Sequence, residues 1–276
     1  MANIIKIKDY DNKELDIYAR ATENELLHYY EPNGGVFIAE TLMVIERALD
    51  AGYEPISMLV EERLIDTEAK DIIEKVGGIP IFTASMDILQ NLVGYHLTRG
   101  VLCAMKRKDL PSVDEVLTDT RRVVILDKVL NPTNLGSIFR SAAALGMDAV
   151  LLTPECTNPL YRRAIRVSMG TVFQIPWTYI TDDYSNWPDK GIEILKSHDY
   201  KTVAMALKED SVDISYPELL GVNKLAIIMG NECYGLDNSV INASYYTVKI
   251  PMSHGVDSLN VAAASAVAFF ELGKRG

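Results

Sequence analysis

The residues of this 276-residue chain whose types and spacing could do chemistry fall in three segments. In 126–140 (LDKVLNPTNLGSIFR) an apolar run ends in an Asn/Pro loop and passes into helical spacing, with Asn134 at the entry and Arg140 further along. Asn134 is a good cap for that helix, because its side-chain oxygen can accept from free backbone N–H groups. Leu135, Ile138, Ala142 and Leu145 share one helical face, which leaves the permanent cation of Arg140 pointing elsewhere. The same letters also describe a plain cap and a solvated charge. In 227–237 (IIMGNECYGLD) a strongly apolar strand delivers two glycines and the carboxylate of Glu232 into a loop. Ligands of open α/β sheets bind outside the carboxyl ends of strands, and Gly230 would let a backbone or a ligand approach closely. A simple glycine turn reads identically. In 250–264 (IPMSHGVDSLNVAAA) Pro251 ends a ladder, Ser258 can cap the final helix, and Asn260 falls in its first turn among small residues. Those small residues equally suit helix–helix packing, and His254 reads as a loop histidine rather than a catalyst.

The elements that must position these segments alternate. Strands are expected over 36–39, 56–60, 79–83 and 101–105, with helices between them, the first capped by Thr41 and the second stopped at Gly77-Gly78. A polar, acid-rich stretch with Pro111, 106–120, interrupts the pattern and reads as a linker. Strands then resume over 123–126, 149–152, 171–177, 202–206, 225–229 and 246–250. Helices are expected over 135–145 and 192–196, and an Ala-rich one over 258–272. Such alternation predicts a mostly parallel sheet covered by helices.

Other features exclude whole classes. No GxGxxG occurs, which argues against the usual dinucleotide fold. Cys103, Cys156 and Cys233 are odd in number and far apart, and no metal-ligand spacing links them to His28, His96, His198 or His254, so neither disulfides nor a zinc site are expected. No apolar run reaches membrane-spanning length and no signal-peptide core is present, so a cytoplasmic location is expected. The net charge of −11 runs against nonspecific nucleic-acid binding. It is unevenly spread: residues 1–117 hold 12 basic against 21 acidic side chains, whereas 118–180 hold 7 against 4. Phosphate contacts would therefore concentrate on a local patch, with Arg121, Arg122, Arg162, Arg163 and Arg166 as candidates beside the alternative of solvated surface charge.

In order and spacing, the three segments resemble the signature of the SpoU (TrmH-like) family of the SPOUT superfamily of RNA methyltransferases. That signature is N-x-G-x-x-x-R, then G-x-E-x-x-G, then I-P-M with S-L-N-V. The positions stand here as Asn134, Gly136, Arg140, Gly230, Glu232, Gly235, Ile250, Pro251, Met252, Ser258, Leu259, Asn260 and Val261. Segment 166–171 (RVSMGT) and the N-terminal FIAE and RGVLCA runs are also similar to family segments. Two departures, Cys233 where Gly is common and Ala263 where Ser is common, bear on loop detail.

The resemblance implies an α/β fold in which a C-terminal SPOUT domain, 121–276, has a parallel sheet and a deep trefoil knot. A linker over 108–120 would join it to a smaller N-terminal α/β domain, 1–107, that binds RNA. It implies S-adenosylmethionine as cofactor, held by Gly230, Ile250, Met252, Ser258 and Leu259. The catalytic set it implies is Arg140, Asn134, Glu232, Ser258 and Asn260, with transfer to a ribose 2′-hydroxyl. Arg140 would activate that hydroxyl or, since a guanidinium holds its proton, clamp the adjacent phosphate and stabilise the alkoxide. A homodimer without metal is implied, acting on ribosomal RNA ahead of transfer RNA. A non-catalytic RNA-binding module and a base-methylating enzyme are the competing readings.

Overall fold

The computed structural model describes residues 2–7, 12–31, 34–95, 97 and 99–273. Its contacts divide the chain into two units, Met1–Asp109 with Leu160–Phe173, and Leu110–Pro159 with Gln174–Gly276. His96 lies outside the described residues.

In the first unit the strands are β1 (Asn3–Lys6), β2 (Val36–Glu40), β3 (Pro55–Glu61), β4 (Pro80–Ala84) and β5 (Val101–Lys106), in the order β1-β4-β3-β5-β2. β5 runs antiparallel to β2 and β3, and the other pairs are parallel. β2 and, from Ile81 on, β4 are buried on both faces, with Val36, Ile38, Leu59, Phe82 and Leu102 in one core cluster. Thr41 caps the helix Leu42–Asp50, its Oγ1 accepting from Val44 N at 3.4 Å. The short edge strand β1 was not expected from the sequence, since only two apolar letters stand between Asn3 and Lys6.

The segment Leu160–Phe173 belongs to this unit by its contacts, although the expected domain limits put it with 121–276. The Phe173 ring lies 5.5 Å from Phe37 and 5.2 Å from Tyr53, and Arg47 Nη1 donates to Met169 O at 2.7 Å. The strand expected over 171–177 is instead a 3-10 turn, Thr171–Phe173, followed by a strand that starts only at Trp177. Pro176, which has no N–H to give a ladder, stands at that boundary.

The second unit holds β6 (Arg122–Leu126), β7 (Ala149–Leu152), β8 (Trp177–Tyr179), β9 (Lys201–Met205), β10 (Val212–Asp213), β11 (Leu225–Met229) and β12 (Tyr246–Lys249). All pairs are parallel, in the order β10-β12-β9-β11-β6-β7-β8. β7 and β11 are buried throughout and β6 from Val123 on, as strands covered on both faces must be. The chain lays β6, β7 and β8 outward in one direction, then reverses and inserts β11 between β9 and β6. A crevice opens at such a reversal, beyond the strands' carboxyl ends. The stretch expected to be a linker is structured: Ser112 and Glu115 form a capping box on the helix Val113–Leu117, whose Val116 and Leu117 are buried in this unit's core. Among the described residues no helix is long and apolar enough to cross a membrane.

Candidate active site

Three loops leave the carboxyl ends of β6, β11 and β12. A cavity of about 360 Å³ lies at the ends of β9, β11 and β12, lined by Met205, Met229 and Lys249 from those ends. Of the residues expected to hold a cofactor, Gly230, Ile250, Met252, Ser258 and Leu259 all line it, together with Glu232.

The loop after β11 is a tight hairpin. Asn231 N donates to Gly235 O and Gly235 N to Asn231 O, both at 3.0 Å. A Cβ on Gly230 would sit 2.5 Å from Gly235 C and 2.6 Å from Gly235 O, so that position admits only glycine, while Gly235 adopts a φ of +68°. Inside the hairpin, Asn231 Oδ1 accepts from Cys233 N (2.8 Å) and Tyr234 N (3.2 Å), and its Nδ2 donates to Lys128 O at 2.9 Å. The side chain of Asn231 thus ties the β11 loop to the β6 loop.

The helix after β6 spans Pro132–Ala144. Its N-cap is Asn131, whose Oδ1 accepts from Thr133 N at 2.8 Å, and not Asn134 as the spacing suggests. The Asn-Pro pair was the readable signal, because proline favours the first helical position directly after a capping residue. Asn134 sits in the first turn with its amide available: Nδ2 donates to Glu232 Oε1 at 3.1 Å, and Oδ1 accepts from Asn260 Nδ2 at 3.2 Å. Glu232 Oε1 also accepts from Asn131 N at 3.2 Å.

The final helix is Val261–Leu272 and begins later than expected. Asn260 is its cap, Oδ1 accepting from Ala262 N at 2.9 Å, and Ser258 lies in the exposed loop before it. One chain of side chains, Glu232–Asn134–Asn260, therefore crosses all three loops. Asn131 and Asn231, which sequence reasoning passed over, anchor two of them.

Asp127, at the end of β6, is buried; burial pushes its carboxyl above the usual range, opposed by a hydrogen bond from Thr153 Oγ1 at 3.3 Å. Its neighbour Lys128, at φ +54°, lies 4.1 Å over the Tyr184 ring and 3.4 Å from Asp237.

Arg140 is exposed near the end of the same helix that carries Asn134, with no hydrogen bond or ion pair among the described residues. The five arginines proposed for phosphate contacts are divided between the two units, Arg121 and Arg122 in the second and the other three in the first. Arg122 is occupied: its guanidinium donates to the carbonyls of Leu272 (2.8 Å), Arg121 (3.1 Å), Asn223 (2.7 Å) and Val222 (2.8 Å), which removes it from the phosphate candidates. Arg121 is exposed just before β6, at the amino ends of the strands and so opposite the cavity. Arg162, Arg163 and Arg166 belong to the first unit. There Arg162 Nη1 donates to Tyr95 Oη at 3.0 Å, and Arg166 pairs with buried Glu40 at 3.7 Å. Cys103 and Cys156 are buried, Cys156 pushed up to about 11 by desolvation, while Cys233 is exposed in the cavity wall. Among the described residues no group of three or more His, Cys, Asp or Glu side chains could hold a metal ion.

Residues 121–270 match the SpoU rRNA Methylase family. The chain belongs to that family. An uncharacterized tRNA/rRNA methyltransferase of Mycobacterium bovis is 38% identical over 89% of this chain and 83% of its own length. The 23S rRNA (guanosine-2′-O-)-methyltransferase RlmB of Acinetobacter baylyi is 32% identical over 70% of this chain and 78% of that protein. Among solved structures, an AdoMet-bound rRNA methyltransferase from Sinorhizobium meliloti shares the fold with a TM-score of 0.79, at 23% identity over 98% of this chain and 97% of that one. As a SpoU-family member the protein is an RNA methyltransferase with a parallel-sheet α/β fold.

Proposed function

We propose that this protein transfers a methyl group from S-adenosylmethionine to a ribose 2′-hydroxyl of ribosomal RNA. The observation that carries the reading is the side-chain chain Glu232–Asn134–Asn260: its first member lines the cavity, and its second sits on the helix that bears Arg140. The cavity suits the donor in size and chemistry. Its volume of about 360 Å³ falls in the range of small-molecule sites. Ile250, Leu259 and Met252 offer apolar walls for a purine, and Glu232 and Asp257 offer carboxylates to a cationic ligand. Gly230, Ile250, Met252, Ser258 and Leu259 are the residues that would hold it. When bound, the donor supplies an electrophilic methyl group.

The chain's own part is placement and charge. A ribose oxygen must be held nearly in line with the transferred carbon, and such positioning accounts for much of an enzyme's acceleration. Arg140, exposed and without a partner among the described residues, is placed to grip the phosphate next to the target ribose and to stabilise negative charge on its oxygen. Glu232, Asn134 and Asn260 hold the loops on either side. The hydroxyl's proton passes to solvent water as the bond to carbon forms, and the guanidinium keeps its own.

The name of the Acinetobacter relative supports ribosomal over transfer RNA and ribose over base as target. The first unit is the candidate RNA-docking domain, and a cytoplasmic location fits an RNA-modifying enzyme. Homodimerisation is supported by the final helix, where Ala263, Val267 and Phe270 form an exposed apolar stripe, Phe270 being 72% exposed. A trefoil knot is consistent with the shared fold and with two loops, 230–235 and 250–259, lining one cavity.

Incubation of the protein with labelled S-adenosylmethionine and RNA from cells lacking the gene tests this reading. A 2′-O-methylated nucleoside recovered from ribosomal RNA is expected. A methylated base, or label confined to transfer RNA, would replace the target proposed here, and no label would favour a binding module.

A further inference from the structure

Tyr234 stands out among the large hydrophobic side chains of the described residues: at 90% exposure it is the most open of them. It is also the one aromatic residue among those lining the cavity. A tyrosine in open solvent ordinarily belongs to a floppy loop, but this one does not. Its N–H is held by Asn231 Oδ1 at 3.2 Å, and its loop is closed by the paired Asn231–Gly235 hydrogen bonds and anchored to Lys128 O. The residue two positions earlier, Glu232, is bonded to the helix that bears Arg140. A rigid loop therefore presents an uncovered planar ring at the mouth of the site where a ribose must enter.

We propose that Tyr234 is the stacking platform for the base of the nucleotide whose ribose is methylated. The inference rests on the ribose-methylation reading above and adds the residue that receives the substrate. A nucleotide of an RNA loop that is drawn from its neighbours' stack to bring its ribose into line with the donor loses that stacking, at a cost of a few kcal/mol. An aromatic face beside the cavity replaces the lost stack, and it serves any base because every base has a π-face. The cavity's other walls offer no ring, and the phosphate role proposed for Arg140 engages its guanidinium elsewhere. The tyrosine thus acts on RNA binding, and the donor's hold on Gly230, Ile250 and Leu259 does not depend on its ring.

The test uses the full chain, total RNA from a strain lacking the gene, and S-adenosylmethionine. Two quantities are read: the RNA concentration at half-maximal methyl transfer, and the donor's dissociation constant by calorimetry without RNA. Retention of the same RNA on filters, with no donor present, gives a third readout independent of turnover. For Tyr234→Ala the half-maximal RNA concentration is expected to rise roughly 5- to 150-fold, the range of a lost base–aromatic stack. Filter retention should weaken in parallel while donor affinity changes less than about 2-fold. Tyr234→Phe and Tyr234→Trp should restore RNA saturation to near the wild type, since the ring and not the hydroxyl is used. Unchanged RNA saturation in Tyr234→Ala, with an active wild type, overturns the role of the tyrosine alone. An equal loss of donor affinity assigns the ring to the cofactor and overturns it too. A wild type that binds the donor but methylates no RNA refutes the underlying reading, and the platform with it.

Discussion

The hairpin after β11 contains two glycines that are required for different physical reasons, and substituting each separates those reasons. A methyl group at position 230 would lie 2.5 Å from Gly235 C, 2.6 Å from Gly235 O and 2.8 Å from Leu236 N. All three neighbours are backbone and none can rotate away. Carbon contacts are comfortable near about 3.5 Å, so the two limbs of the hairpin must part by about 1 Å. The limbs are joined by the two 3.0 Å bonds between Asn231 and Gly235. Losing both costs about 1–3 kcal/mol at the usual 0.5–1.5 kcal/mol each. Because the cavity wall is built from this hairpin, Gly230→Ala should weaken S-adenosylmethionine binding roughly 5- to 150-fold, that energy expressed as an equilibrium. At Gly235 an added Cβ meets nothing within 4 Å, and the constraint is the φ of +68°. Asparagine tolerates that region, so Gly235→Asn should bind the donor within about 3-fold of the wild type, an effect on the order of 0.6 kcal/mol. Calorimetric titration measures both, with thermal unfolding to show that each variant is folded. Wild-type affinity in Gly230→Ala, or equal damage from the two substitutions, would refute the steric reasoning.

Three further outcomes follow from the geometry. Asn260→Ser keeps a capping oxygen for Ala262 N but cannot reach Asn134, so the melting temperature should stay close to the wild type while methyl transfer falls at least about 10-fold, a loss of about 1.4 kcal/mol; a melting temperature lowered in step with activity would contradict the separation. Cys233 is the exposed thiol in the cavity wall, whereas Cys103 and Cys156 are buried with their pKa values raised by desolvation. Maleimide should therefore label Cys233 first, and S-adenosylmethionine should slow that labelling, as peptide mass spectrometry would show; labelling indifferent to the donor would count against the site. Glu40 is 2% exposed, and burial raises its carboxyl pKa against the opposing pull of Arg166 and Arg162. The folded state then takes up a proton more readily than the unfolded one, so its stabilising share is full below the unfolded carboxyl range near about 4.3 and is lost as pH rises through the folded value. Glu40→Gln should consequently gain on the wild type in urea unfolding as pH is raised from about 4 to about 7; a constant or reversed difference would contradict this.

Much of this architecture could be read from letters alone, because parallel strands buried on both faces leave unbroken apolar runs. β7 and β11 are such runs, as are 36–39 of β2 and 123–126 of β6, and each is buried. What could not be read depended on contacts distant in sequence. The edge strand β1 has only two apolar letters, and the helix Val113–Leu117 hides in a polar stretch whose capping box is the clearer sign. The family signature named Asn134, Glu232 and Asn260, but local spacing assigned both asparagines the wrong backbone roles. Asn131 and Asn260 do the capping, and that leaves the Asn134 amide to bridge the loops. Charge counting also misled: Arg122 looked like a phosphate ligand and is a strut for four carbonyls, a role fixed by where the chain returns and invisible in composition.

The central claim is that the cavity holds the methyl donor while Arg140, on the neighbouring helix, serves only the transfer. Measuring donor affinity and ribose methylation side by side in Arg140→Ala tests it most directly. The account predicts donor binding within about 2-fold of the wild type, a change on the order of 0.4 kcal/mol, and no detectable 2′-O-methyl product. Methylation that persists in the variant, or donor binding lost together with it, would contradict the account.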